Sequence, residues 1–162
     1  MTIPVTRERI DYGSTDGAVL HGAAREVVDG AGTATTLTVA QSGALCVFST
    51  AAGQTYTLPV IASRDVGTTF DFIATITGTG TYSVATDGAA TFMGGGLDSS
   101  STTVAEGGDT FTADITSTVA CTHDSDVTGR LLGTHYTLTA LSTTTWAIGG
   151  TMCGVGTLAT PF

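Results

Sequence analysis

The run Thr68-Thr69-Phe70-Asp71-Phe72-Ile73-Ala74-Thr75-Ile76-Thr77 alternates apolar and polar side chains almost residue by residue. Successive side chains of an extended strand point to opposite faces. Phe70, Phe72, Ala74 and Ile76 therefore fall on one side, and Thr69, Asp71, Thr75 and Thr77 on the other. One face of this strand is predicted to be buried and the other to be hydroxylated. The same texture extends along the chain, which is roughly one-fifth threonine, contains no lysine, and breaks its short alternating runs with glycine. No stretch holds a helical period over three turns, and β-branched residues discourage one.

Residues 37–40 lead into the turn Gln41-Ser42-Gly43, with residues 44–48 directly after it, the pattern of a hairpin. Residues 55–58 form a strand closed by Pro59, which has no N–H to give to a ladder. Asp87-Gly88, between residues 81–85 and 90–93, is the strongest short hairpin signal. Gly94-Gly95-Gly96 and Ser99-Ser100-Ser101 are expected to form a loop. Further strands are predicted at 110–115, 118–121, 135–141 and 145–148, with Gly149-Gly150 as a break. About nine or ten strands with frequent turns predict an all-β fold, an antiparallel β-sandwich or a jelly-roll or barrel-like body, over residues 33–162. Residues 1–32 lack sustained alternation and are expected to form an extended N-terminal arm, with short strands at 18–21 and 25–28.

A chain of 162 residues suits one domain. Its five cations are all arginines, against fourteen carboxylates, for a net charge of −9. Nucleic acid is an unsuitable partner, because phosphate binding needs clustered Lys and Arg. Anionic membrane surfaces are disfavoured on the same ground, and the amino terminus has no apolar signal segment, so a soluble, unprocessed chain is expected. Charged residues make up only 12% of the chain, which suggests a surface partly covered by other protein. Cys46, Cys121 and Cys153 are odd in number and lack C-x-x-C spacing. They read as reduced core residues, with a Cys121–Cys153 bridge as the alternative.

The densest set of possible ligands is Cys121-Thr122-His123-Asp124-Ser125-Asp126. Counted from Asp124, Gly129 stands at loop position six of an EF-hand, but position twelve is His135 and not the glutamate that an EF-hand requires. The segment reads as a solvated acidic turn, with an adventitious cation site at Asp124 and Asp126 as the alternative. His21, His123 and His135 do not stand in a nucleophile–base pattern, and G-x-S-x-G is absent. Gly94-Gly95-Gly96 has no lysine to complete a phosphate cradle. No catalysis, cofactor or metal is expected. Trp146 alternates with Ile148 and reads as a core anchor, the other reading being a carbohydrate platform.

In order and spacing, several short motifs resemble the small β-rich virion proteins of tailed bacteriophages, above all head decoration (cement) proteins. They are Leu37-Thr38 with Ser42-Gly43, Thr57-Leu58-Pro59, Gly67 before Phe70-Asp71-Phe72, Tyr136-Thr137-Leu138, Thr145-Trp146 with Gly149, and the terminal Gly156-Thr157-Leu158-Ala159-Thr160-Pro161-Phe162. The resemblance implies a capsid-stabilising structural protein on the outer surface of the head, often a homotrimer, whose partners are the major capsid protein and its own copies. It implies no catalytic residues. On this reading Arg7, Arg9 and Arg25 of the arm pair with carboxylates of the capsid or of a neighbour. The alternative is a tail or fibre module that binds a host surface glycan.

Overall fold

The computed structural model describes residues 25–30, 34–88, 91–103 and 108–162. Most of the expected arm, including the strand at 18–21, lies outside the described residues. The described chain is all-β and forms two sheets. β1 (Val27–Asp29), β3 (Leu45–Phe48), β5 (Thr69–Ala74), β7 (Phe92–Ser101), β8 (Thr110–Ala113), β10 (His135–Ala140) and β11 (Thr145–Gly154) make a seven-stranded sheet. β2 (Ala34–Thr36), β4 (Gly53–Thr57), β6 (Thr81–Ala85) and β9 (Ala120–His123) make a four-stranded one. β1 lies within the segment 1–32, close to the short strand expected at 25–28, and pairs with β3.

From β1 to β6 the chain alternates between the sheets. Each return lays its strand parallel to the one placed a turn earlier. Val28, Cys46 and Phe72 consequently stack in register in the large sheet, and Thr35, Tyr56 and Val84 in the small one. The second half is mixed. β10 and β11 form an antiparallel pair that inserts between β5 and β7, and β11 runs parallel to β7. β8 closes one edge of the large sheet and β9 one edge of the small, each antiparallel to its single neighbour. The expectation of an antiparallel body is thus corrected, since five strand pairings are parallel.

Two expected hairpins account for much of that difference. Leu37 still bonds to Thr57 of the small sheet before the chain turns through residues 39–43 into β3 of the large one. Asp87-Gly88 follows β6 in the small sheet and leads towards β7 in the large. Both turns carry the chain across the core; the turn chemistry dictates a reversal but not which sheet receives the next strand.

The glycine-rich stretches read as interruptions lie inside strands. Gly94-Gly95-Gly96 and the serines belong to β7, and Gly149-Gly150 to β11. Gly95, at φ +113°, would set a Cβ 2.2 Å from the Ile148 carbonyl oxygen. Here glycine is what allows neighbouring backbones to approach.

Phe70, Phe72 and Ala74 of β5 are buried as the alternation demands, whereas Ile76 lies beyond the strand end and is exposed. Residues of both sheets meet in one core. Phe48 stacks on Tyr82 with centroids 4.7 Å apart, and Phe72 on Tyr136 at 5.4 Å. Trp146 is fully buried, a core anchor packed at 6.1 Å from Phe70. Its indole Nε1 has no hydrogen-bond partner among the described residues. The three cysteines are free, with Cys46 and Cys121 buried and Cys153 half-buried.

Candidate contact surfaces

Pairing of the short strands determines which polar side chains share the outside of the four-stranded sheet. One row runs Ala34, Thr55, Ser83, Thr122, and the next runs Thr36, Thr57, Ala85, Ala120. These residues alternate with the buried Gln54, Tyr56, Tyr82, Val84, Cys121 and His123, so their side chains point away from the core. Adjacent strands lie about 4.8 Å apart, which makes the rows a close grid of methyls and hydroxyls. The hydroxyls of Ser83 and Thr122 lie 3.3 Å apart across strands. None of the eight positions carries a charge, on a chain of net charge −9.

The outer face of the large sheet is mixed. Asp71 of β5 accepts from Thr137 Oγ1 of β10 and pairs with Arg25 at 2.5 Å. Arg25 also donates from Nε to Gly43 O at 2.8 Å and from Nη2 to Ala44 O at 3.2 Å. It therefore clasps the start of the described chain over β3 onto β5, and its donors are used within the chain. Beside the clasp is a hollow of about 300 Å³ bordered by Leu45, Ile73, His135 and Thr137. Arg7 and Arg9 lie outside the described residues. Alternation put Asp71 on the polar face of β5, but only the fold brings Arg25 to it.

Asp124 and Asp126 are both engaged locally. Thr128 Oγ1 lies 3.0 Å from Asp124 Oδ1 and accepts from the N–H groups of Asp124 and Ser125. Arg130 pairs with Asp126 at 2.8 Å and donates to the carbonyls of Thr79 and Asp124 at 3.1 Å each. Among the described residues no group of three or more His, Cys, Asp or Glu side chains is placed to hold a metal.

Beneath this turn His123 is fully buried. Its Nδ1 meets the carbonyl of Thr128, which can only accept, so Nδ1 carries the proton and Nε2 is left to accept from Cys121 Sγ at 3.5 Å. Among the described residues Tyr136 Oη has no partner beyond that same thiol. Burial pushes the Cys121 and Tyr136 protons on more tightly and pulls His123 below the usual histidine range. The set is a structural relay of neutral groups. A second one centres on Tyr56, whose hydroxyl meets Val47 O at 2.7 Å and Val28 O at 2.9 Å and accepts from Gly30 N and Gln54 Nε2 at 3.1 Å each. It ties β4 of the small sheet to β1 and β3 of the large.

A groove of about 660 Å³ opens between the edge strands β8 and β9 and the carboxy-terminal residues 160–162. Thr112, Thr118 and Thr160 supply hydroxyls, Val119 and Phe162 apolar surface, and Asp114 and Asp124 charge. Asp114 accepts from the Thr116 N–H and from the hydroxyls of Ser117 and Thr116, which hold its carboxyl below the usual range. Composition pointed to low-charge contact faces. The groove was not legible, because it is formed by residues 112–128 and 160–162, whose approach depends on the sheet order.

Comparison with protein-family models, curated proteins and solved structures finds no match to this chain.

Proposed function

We propose that this chain is a decoration protein of a tailed-phage head, a non-catalytic module that binds the outer surface of the assembled capsid as a homotrimer and bridges capsomers. The observation that carries this reading is the charge-free outer face of the four-stranded sheet. Burying a charge is costly unless it is paired, whereas hydroxyls lose little if they find partners. A flat grid of Thr, Ser and Ala therefore suits repeated protein contact, and the acidic remainder of the surface keeps free copies soluble. The order of motifs that resembles head decoration proteins supports the same reading, as does a body of two sheets read as the layers of a β-sandwich. Arg7 and Arg9 are assigned to partner carboxylates. Arg25 would have to exchange its internal clasp to do the same.

A copy that binds only the assembled lattice stabilises that lattice by mass action, as RT ln(1 + [L]/Kd). The test is to titrate purified full-length chain onto purified heads lacking it. Saturable binding and greater resistance of the heads to heat are expected. Thr55→Glu, which sets a charge in the middle of the grid, should weaken binding about tenfold or more while the chain stays folded. No binding to heads, or binding only to tails or host glycan, would contradict the proposal.

A further inference from the structure

We infer that the groove between β8 and β9 receives the amino-terminal segment of a second copy of this chain, with Arg7 and Arg9 placed against Asp114 and Asp124. This deepens the decoration reading, on whose oligomer it rests, by naming where one copy holds the next. Three observations lead to it.

The groove borders a strand edge that no described strand covers. Ser99 N–H donates to Asp109 O at 2.7 Å. Antiparallel pairing alternates bonded and non-bonded residues, so the backbone groups of Thr110 and Thr112 face away from β7, and no described strand lies beyond β8. An extended segment can add there, with its side chains over Val119 and Phe162.

The groove carries two carboxylates and no cation in its lining. The described arginines are already placed: Arg25 with Asp71, Arg130 with Asp126, and Arg64 beside its neighbour Asp65 at 3.7 Å. The two remaining cations, Arg7 and Arg9, stand in Thr6-Arg7-Glu8-Arg9-Ile10, a stretch that is locally net positive in an acidic chain. Arg64, 87% exposed, is the competing occupant.

Position suits a second copy. Arg25 clasps the chain beside β1, at one edge of the seven-stranded sheet, while the groove flanks β8 at the opposite edge. The 24 residues before Arg25 span at most about 80 Å when extended, enough to leave a body on the order of 40 Å across and reach a neighbour. A donor at one edge and a receiver at the other make a head-to-tail contact, which closes into a ring when the rotation permits.

The test measures self-association of the full-length chain by analytical ultracentrifugation at low and high salt. Wild type should form a closed oligomer that weakens with salt. Arg7→Glu with Arg9→Glu should raise the dissociation constant about tenfold or more, and Asp124→Arg should do likewise with an unchanged melting temperature. Equal mixing of the two variants should restore some association, and combining them in one chain should restore it to within about threefold of wild type. If Asp124→Arg does not fold, Asp114→Asn with Asp124→Asn carries the same expectation without the rescue. A monomeric wild type, reversals without effect, absence of rescue, or an equal loss from Arg64→Glu would overturn the inference. Normal head binding by an oligomer insensitive to every groove variant overturns this inference alone. An oligomer with the expected sensitivities that ignores heads removes the decoration reading and leaves the groove assignment standing.

Discussion

Tyr56 joins the two sheets through both its ring and its hydroxyl. Its ring packs edge-on to Phe48 and Phe72 at 5.5 and 5.6 Å, and its hydroxyl serves groups of β1, β3 and β4. Tyr56→Phe keeps the packing but removes the hydroxyl that accepts from the Gly30 N–H and from Gln54 Nε2, the latter keeping its bond to Val47 O at 3.0 Å. We expect a loss of about 1–3 kcal/mol in denaturant unfolding; an unchanged midpoint would show that these donors find other partners. His123 makes a different claim. Burial holds its pKa below the unfolded value near 6.5, with Thr128 and Asp124 opposing the shift. The folded state therefore binds fewer protons than the unfolded one between those two values. Stability from this site is complete above about pH 6.5 and falls as pH drops below it. The slope of stability against pH just below 6.5 should flatten in His123→Leu, and an identical slope would show that the ring titrates as freely folded as unfolded.

At the scale of elements, β10 and β11 pair so closely that Gly150 has no room for a side chain. A Cβ there would lie 2.4 Å from His135 O and 2.5 Å from Tyr136 Cα, both backbone atoms that cannot swing aside. Gly150→Ala should cost about 1–3 kcal/mol, and a neutral effect would mean that the pair can part without loss. This glycine also shows where sequence reasoning stopped. Alternation in 69–74 gave the buried face of β5 correctly, and the short runs at 55–58, 81–85 and 135–141 each became a strand near its expected place. Those signals are local, and a period of two needs only the chain's own next residues. Glycine inside β7 and β11 could not be read, because its reason is the close approach of a neighbouring strand, which no short window of sequence contains. The same limit explains the parallel pairings: Asp87-Gly88 announces a turn, while the choice between return and crossing is made by partners that no short window contains.

The molecule as a whole sets one uncharged outer sheet face on a body of net charge −9. That face was half legible: alternation gave Thr55, Thr57 and Ser83 a common orientation within their strands, and the winding of β2, β4 and β6 in register then gathered them into a grid. Identical acidic bodies repel one another wherever they meet through charged surface, so repeated assembly favours the uncharged face and a contact that brings its own cations. Arg7 and Arg9 are assigned to that purpose, with the exposed Arg64 as their competitor. Deleting residues 1–24 should leave a folded body with a cooperative unfolding transition and greatly reduced head occupancy, and full occupancy by the truncated chain would remove the arm from the account. The central claim, that this is a binding module of the outer capsid shell, is tested most directly by electron cryomicroscopy of the intact particle with the chain located in the density. The account predicts copies on the outside of the head at symmetry-related sites, with the Thr–Ser–Ala grid turned towards protein; density confined to the tail or fibres, or that grid facing open solvent, would contradict it.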